Sequence, residues 1–321
     1  MIVKRTSTVT YFNCFARKYQ YQKSRFHIFL LYFPAFFFYH GSGQDYFTQE
    51  EQILAIIADT HVHTLFSGDG SFSPEIMIEK AISLGLSHLC LTDHMDYDYT
   101  DGGICFEFDP KKYFDYMTPL KEQYQDRIDL MIGVELGLQP YLSSRHHNLV
   151  FSHPFDYVIG SIHLVNSRDP YYPSFFEGRE EQTAYQEYFE CVLQNLKSYT
   201  NFDSLGHLDY VVRYGPTKNK NYAWTQYREI LDAILRILIK NEIALEINTG
   251  GYKYGLGEPN PCTDILKRYK ELGGKLLTIG SDAHDPAYLA YEFSRLRELL
   301  ISCGFSSYYI FKKRAPMELP L

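Results

Sequence analysis

The chain has 321 residues, of which 45% are hydrophobic and 22% charged, and its formal net charge is −8. This length fits one large α/β domain, and the apolar fraction is sufficient to build a core. The acidic balance argues against a nucleic-acid-binding surface, which normally shows clusters of basic residues. The six cysteines are scattered without a C-x-x-C pair, so we expect reduced thiols in a cytoplasmic protein rather than a disulfide framework.

The first predicted feature is an N-terminal extension, residues 1–52. Basic residues precede an apolar run at 28–38, which is the order found in a signal peptide, but the run is too short to span a membrane. Pro34 interrupts the run, and no A-x-A-like cleavage site follows it. We therefore interpret residues 1–52 as a poorly ordered extension outside the core, with a signal peptide as the alternative. The folded domain is expected at 53–321.

From residue 53 onward, short β-rich segments alternate with longer amphipathic ones. In chain order, the predicted strands are residues 53–59, 87–92, 128–135, 157–163, 202–207, 243–248 and 276–281, with a short closing strand at 308–311. The predicted helices are residues 74–84, 110–124, 180–199, 224–240, 262–272 and 286–303. Ser73 as N-cap and Pro74 at the first helical position mark the start of the first helix.

This alternation predicts parallel strands, because each crossover must return the chain to the same end of the sheet. No glycine-rich phosphate or dinucleotide loop follows the first strand, which disfavours an open doubly wound sheet. We therefore predict a distorted (β/α)7 TIM-like barrel, one unit short of the usual eight.

Metal-capable side chains stand at the C-terminal end of every predicted strand of the barrel. They lie in D-T-H-V-H at 59–63 with Asp69 beyond it, T-D-H at 92–94, G-V-E at 133–135, G-S-I-H at 160–163, G-H-L-D at 206–209, E-I-N at 246–248 and S-D-A-H at 281–284. In parallel barrels this rim carries the active site. Imidazole suits zinc, iron and manganese, while carboxylates can bridge two ions. So many ligands favour two or three ions over one.

The spacing within these segments supports a shared site. In His61-x-His63 the strand period of two points both imidazoles to the same side, and Asp282-x-His284 repeats that pattern. A single histidine at a strand end is more often structural than a ligand, but coincidence at seven strand ends is hard to credit. The remaining histidines are expected outside the site. His88 lies at the wrong end of its strand, a loop with solvated side chains is expected for His146, His147 and His153, and His27 and His40 lie in the extension.

At these residues the sequence resembles the PHP (polymerase and histidinol-phosphatase) superfamily. The resemblance spans residues 57–315 and rests on the motifs D-T-H-V-H-T with S-G-D-G, L-T-D-H, G-V-E, G-S-I-H, G-H-L-D, L-E-I-N and G-S-D-A-H. Four further segments resemble the barrel-type histidinol-phosphatases: F-D-Y-V-I-G-S-I-H, S-L-G-H-L-D-Y-V-V-R-Y, Y-G-L-G-E-P-N-P and I-F-K-K-R-A-P. The departures are the N-terminal extension and an aromatic-rich insertion at 171–176.

The resemblance implies a trinuclear centre of zinc, manganese or iron and hydrolysis of L-histidinol phosphate. By analogy, one ion would be held by His61, His63, Glu135 and Asp282. Glu135 would bridge to a second ion held by His163 and His207. Asp69, His94 and His284 would hold the third.

A water bridging two ions would be ionised near neutral pH and placed for in-line attack on phosphorus. Arg213 is a candidate for gripping the phosphate, because its planar fork matches two oxygens, and the alternative is an ordinary surface arginine. Together with Glu135, Asp282 and His284 it forms the expected catalytic set. The expected partner is a small phosphate ester, with neither nucleic acid nor membrane, and the oligomeric state is left open. The alternatives are a PHP protein-tyrosine phosphatase and a non-catalytic metal-binding regulatory module.

Overall fold

The computed structural model of the protein describes residues 56–321. The predicted extension at 1–52, and with it the signal-peptide alternative, lies outside the described residues. Within the described part of the chain, no helix combines the length and apolar character needed to cross a membrane.

The core of the fold is a ring of parallel strands. The strands are β1 (Ala58–Val62), β2 (His88–Leu91), β3 (His94–Met95), β4 (Asp129–Gly137), β5 (Tyr157–Ser161), β6 (Ser204–Leu205), β7 (Ala244–Asn248) and β8 (Leu277–Gly280). All but β3 pair in chain order as parallel neighbours, and β3 adds to β4 beyond the end of β2. This arrangement confirms the parallel order predicted from the alternation.

The ring closes almost completely between its last and first strands. Ala283, just beyond β8, forms a parallel bridge with Val62, and its carbonyl accepts a hydrogen bond from the His63 amide at 2.9 Å. Gly280 permits this approach, because a Cβ at that position would lie 2.3 Å from the Cβ of His61. The prediction of a distorted seven-stranded barrel is therefore confirmed.

Helices cover the outside of the ring. They are α1 (Pro74–Ser83), α2 (Pro110–Tyr124), α3 (Ser143–Ser152), α4 (Glu181–Ser198), α5 (Arg228–Lys240), α6 (Gly250–Lys253), α7 (Thr263–Glu271) and α8 (Leu296–Ser302). In α5, Leu231, Ile234, Leu235 and Leu238 recur at helical spacing and are buried. The strands are buried on both faces, as expected where helices cover a parallel sheet.

The structure corrects several predicted elements. The predicted helix 286–303 is broken into 3₁₀ turns at Pro286–Tyr288 and Phe293–Arg295, followed by α8. The break occurs because Ala290 and Glu292 adopt positive φ values of 54° and 59°, which a continuous helix does not allow.

The predicted closing strand at 308–311 does not close the barrel. It is part of β9 (Ser307–Lys312), which pairs antiparallel with β10 (Ala315–Pro320) in a separate hairpin. The two turn residues, Lys313 and Arg314, both have positive φ, as a two-residue hairpin turn of type I′ requires.

The loop predicted after the third strand is in fact helical. His146 lies within α3, is fully buried, and packs between the rings of Tyr97 and Tyr199 at 5.5 and 5.7 Å. The expectation of a solvated side chain was therefore wrong for His146, whereas His147 is exposed. The apolar residues Leu149 and Val150, three and four positions further on, carried the helical signal that the loop prediction overlooked.

Candidate metal centre

Four of the predicted ligands converge where β1, β4 and β8 end. His61 lies in β1 and His63 follows it, so the strand period places both rings on one side. The His61 Nε2 atom is 3.2 Å from Glu135 Oε2 and 3.7 Å from Asp282 Oδ1. The His63 Nε2 atom is 3.5 Å and 3.4 Å from the same two oxygens. Asp282 reaches this position with a φ of 57°, a left-handed conformation that aspartate tolerates better than most residues.

The other oxygen of Glu135 faces a second set of histidines. Glu135 Oε1 is 3.3 Å from His163 Nε2 and 3.1 Å from His207 Nε2. Ser161 donates a hydrogen bond of 2.6 Å to the same oxygen. Because the two carboxylate oxygens point to different histidine groups, Glu135 has the geometry of a bridging ligand.

The third predicted group lies at the outer edge of the site. His284 Nε2 is 3.1 Å from one oxygen of Asp69, and His94 Nε2 is 3.9 Å from the other. The His63 ring stacks against both His94 and His284, with centroids 4.2 and 4.0 Å apart. His94 Nδ1 also lies 3.0 Å from Glu135 Oε2, so this group adjoins the first. The structure therefore brings all nine predicted ligand residues together at one rim.

Several ligand atoms in this cluster are buried without a hydrogen-bond partner. They include His61 Nε2, His63 Nε2, His284 Nε2 and Glu135 Oε2. Buried polar atoms are almost always hydrogen-bonded, so a convergent set without partners points to a ligand that is not a side chain. Nitrogen and oxygen donors at these separations suit zinc, manganese or iron, and the residues present therefore fit divalent ions.

The electrostatics of the cluster keep its carboxylates ionised. Burial alone would raise the pKa of Glu135, but the surrounding His61 and His163 hold that pKa well below its usual value. The pKa of Asp282 is likewise held low against burial by His61 and by a hydrogen bond to His63. Burial and the neighbouring His284 and His94 lower the pKa of His63, which favours its neutral form. Against the effect of burial, the neighbouring carboxylates raise the pKa of His61, His94 and His163, so a metal ion that binds these rings must displace protons from them.

Two carboxylates outside the predicted set hold the imidazoles in place. Glu246 accepts from the His61 Nδ1 atom at 2.5 Å and from the His207 amide at 2.7 Å. Asp96 accepts from the His163 Nδ1 atom at 2.6 Å. The two Nδ1 contacts leave the Nε2 atoms of His61 and His163 facing Glu135. Outer carboxylates orient metal-binding histidines in this way.

The sequence carried a partial signal for both of these residues. The position of Glu246 near a strand end marks it as a metal-capable residue, but the sequence pattern does not indicate that it orients His61. Asp96 lies just beyond β3, two positions after His94, and a period of two places the two side chains on one side.

The remaining carboxylates at the strand ends tether loops. Asp59 accepts from the backbone amides of Ser281 and Ala290 at 2.9 and 3.0 Å, and Asp93 accepts from the amides of Thr64 and Ser67 in the same way. Asp209 accepts from the amide of Cys262 at 2.9 Å. Buried backbone groups need such partners, so these residues support the rim without facing its ligand atoms.

Arg213 is buried rather than an ordinary surface arginine. It ends the 3₁₀ turn Tyr210–Arg213 beyond β6, and its Nη1 atom donates to Asp282 Oδ2 at 2.9 Å. Its Nη2 and Nε atoms donate to Asn248 at 2.6 Å and Asn260 at 2.7 Å. The guanidinium therefore holds Asp282 in position.

A cleft of about 310 Å³ opens over the cluster. Its walls combine residues of the candidate centre with aromatic side chains and two cations: Asp69, His94, Asp96, Tyr99, Ile104, Phe106, His163, Asp169, Tyr171, Tyr172, His207, Tyr210, Arg213, Tyr214, Gly250, Lys253, Tyr254, Asp282 and His284. The aromatic insertion predicted at 171–176 thus contributes to the cleft wall. A space of this size accepts a small molecule.

Comparison with known proteins identifies the class to which this fold and site belong. The PHP domain matches residues 59–250, which is more than half of the chain, and the protein belongs to the PHP domain family.

Among its relatives is a histidinol-phosphatase of Lactococcus lactis, 34% identical over 248 residues, covering 77% of this chain and 91% of that protein. A protein named "Probable histidinol-phosphatase" from Clostridium acetobutylicum is 32% identical, covering 81% of this chain and 98% of that one. The histidinol phosphate phosphatase of Lactococcus lactis, solved with zinc, L-histidinol and phosphate, superposes with a TM-score of 0.73 and 32% identity. That superposition covers 81% of this chain and 98% of the other.

Proposed function

We propose that this protein is a metal-dependent phosphomonoesterase that hydrolyses L-histidinol phosphate to L-histidinol and phosphate. The observation that carries the proposal is Glu135, whose two oxygens lie within 3.5 Å of histidine nitrogens on two sides of the site. The similarity to histidinol-phosphatases over nearly their full length supports the choice of substrate. The solved relative that contains zinc, L-histidinol and phosphate supports the choice of chemistry.

We assign the ligands to three ions of zinc, manganese or iron. One ion would be held by His61, His63, Glu135 and Asp282, the second by Glu135, His163 and His207, and the third by Asp69, His94 and His284. When bound, such ions supply hydroxide at neutral pH and neutralise charge on the phosphoryl group.

Side chains around the ligand cluster orient its imidazoles and carboxylates and contact the ester. Glu246 and Asp96 fix two imidazoles with their Nε2 atoms toward the ligand cluster. Arg213 positions Asp282, and because a guanidinium has five N–H donors, it retains donors for a phosphoryl oxygen in the cleft. No side-chain nucleophile is required. The cytoplasmic location remains a prediction from the cysteine pattern.

The test is a substrate panel with purified protein. L-Histidinol phosphate, phosphotyrosine and a dinucleotide are each assayed with Mn²⁺, with Zn²⁺ and with chelator. We expect L-histidinol phosphate to be hydrolysed with a kcat/KM at least about tenfold above the others, and chelator to abolish the activity. A preference for phosphotyrosine would instead support a protein-tyrosine phosphatase. Metal binding without turnover of any ester would support a regulatory module.

A further inference from the structure

Two ligand histidines of the centre are contacted at Nδ1 by carboxylates, whereas His63 is contacted there by a hydroxyl group. At His61 and His163 a carboxylate oxygen lies 2.5 and 2.6 Å from the Nδ1 atom. At His63 the Nδ1 atom lies 3.0 Å from the hydroxyl oxygen of Ser67. Ser67 is 2% exposed and begins the S-G-D-G segment that contains Asp69. A neutral hydroxyl therefore occupies the place that a carboxylate oxygen takes at the other two rings.

The Ser67 hydroxyl has three partners. Its oxygen lies 2.8 Å from Asp93 Oδ1, 3.0 Å from His63 Nδ1 and 3.1 Å from the backbone amide nitrogen of His94. A hydroxyl group has one proton to donate and two lone pairs that accept. The His94 amide can only donate, so it takes one lone pair. The hydroxyl proton then points to either Asp93 or His63, and the second lone pair faces the other.

Asp93 decides this direction, because its Oδ1 atom is already an acceptor. The backbone amides of Thr64 and Ser67 donate to Oδ1 at 2.6 and 3.1 Å, and Asp93 is fully buried. A hydroxyl lone pair facing Oδ1 at 2.8 Å would place two buried acceptors against each other, which is costly. The Ser67 proton therefore points to Asp93, and the second lone pair accepts from His63 Nδ1–H. The lone pair of the His63 ring is then at Nε2, the atom that faces the ligand cluster.

The packing around His63 does not fix this orientation by itself. The His63 ring stacks against His94 and His284, with centroids 4.2 and 4.0 Å apart. A half-turn of the imidazole about its Cβ–Cγ bond preserves both stacks, but it puts a C–H group where Nδ1 now meets Ser67. The hydrogen bond to Ser67 therefore distinguishes the two orientations of the ring.

We propose that Ser67 is a positioning residue whose hydroxyl fixes His63 with its proton on Nδ1 and at the same time holds the backbone at His94. This inference rests on the ligand assignment in the proposed function. His63 belongs to the first set of assigned ligands and His94 to the third, so one hydroxyl supports both of these ion sites. Among the described residues, Ser67 makes no hydrogen bond to His163 or His207, which belong to the second set.

The test variant is Ser67→Ala, which removes the hydroxyl but keeps the backbone amide that donates to Asp93. The full-length protein is titrated with Zn²⁺ against a competing chelator, and bound zinc is counted by elemental analysis. We expect two of the three ions to bind roughly 10- to 100-fold more weakly than in the wild type, as for loss of an orienting partner of a metal ligand. The ion assigned to His163 and His207 should keep its affinity. Unchanged affinity for all bound zinc would overturn the proposal.

The control variant is Ser204→Ala, which removes another buried hydroxyl of the barrel. Ser204 is fully buried, and its hydroxyl oxygen lies 2.7 Å from that of Thr278, away from the assigned ligands. Both variants lose a buried hydrogen bond, so we expect similar losses of thermal stability in their metal-free forms. Loss of zinc from Ser67→Ala but not from Ser204→Ala supports an orienting role, and equal loss from both would show that Ser67 is only structural.

The position of the His63 proton is a direct second measurement. Protein labelled with ¹⁵N-histidine is studied by NMR, and the His63 resonances are assigned by their absence in His63→Gln. In the wild type we expect the ring proton on Nδ1, in slow exchange with solvent because its contact with Ser67 is buried. In Ser67→Ala we expect this exchange to be at least about tenfold faster.

Failure of the proposed function can be recognised separately. If the wild-type protein binds no zinc, the three-ion centre fails, but the NMR measurement still decides the role of Ser67. A His63 proton on Nδ1 that exchanges faster in Ser67→Ala then supports the hydrogen-bond arrangement. A proton on Nε2 in the wild type refutes it.

Discussion

Glu135→Gln tests the multinuclear centre most directly. The substitution keeps the shape of the side chain but replaces one oxygen with an amide nitrogen that cannot ligate a metal. Glu135 Oε2 lies 3.0 to 3.5 Å from nitrogens of His61, His63 and His94, so a nitrogen at that position disrupts one side of the site. At the Oε1 position it would face His163 and His207 instead.

Either orientation removes a charge from a fully buried site, and we expect metal content to fall and kcat to drop at least about a hundredfold. That drop corresponds to about 2.7 kcal/mol of transition-state stabilisation. The assay is elemental analysis combined with turnover of L-histidinol phosphate at saturating metal.

A matched control for this change is Glu246→Gln, the same substitution at another fully buried carboxylate of the rim. Glu246 contacts His61 through the Nδ1 atom, on the side of the ring away from Glu135. We expect this variant to bind metal roughly 10- to 100-fold more weakly but to refill at saturating metal. Full metal occupancy and near-normal turnover in Glu135→Gln would refute the bridging role.

Four further predictions concern metal content, the buried arginine, pH and the extension. Protein purified without chelator should contain more than one divalent ion per chain by elemental analysis, and a fully active metal-free enzyme would contradict the proposed mechanism. Arg213→Lys should lower kcat/KM at least about tenfold, because an ammonium cannot reproduce the three directed contacts, whereas Arg145→Lys at the surface should leave it unchanged. Burial raises the pKa of Asp203 to about 6 despite its contact with Arg314. The folded protein therefore binds a proton at the Asp203 carboxyl group more tightly than the unfolded chain does. The stability contributed by this group is therefore lost as pH rises from about 4 to about 6, and denaturant unfolding of Asp203→Asn should show a flatter pH dependence in that window. Deletion of residues 1–50 should leave folding and activity nearly intact, because the barrel motifs begin near residue 57, and an insoluble or inactive truncation would contradict this.

The sequence by itself determined the strand order and the ligand-bearing rim. Both follow from local rules: consecutive β-then-α units force parallel strands, and the period of two directs His61 and His63 to one side. Parallel strands expose their C-terminal ends at one rim, so residues far apart in the chain could be assigned to one site before any contact was known. In the structure, His61 Nε2 and Asp282 Oδ1 lie 3.7 Å apart at this rim.

The tertiary structure alone decided which strand-end carboxylates face the ligand atoms and which support the rim. Glu135 and Glu246 each lie two residues before the end of a buried strand, yet one faces the Nε2 atom of His61 and the other its Nδ1 atom. Arg213 depends on Asn248 and Asn260, which lie 35 and 47 residues away along the chain. Such contacts are set by how separate loops fold over the rim, and no periodicity within a single element records them.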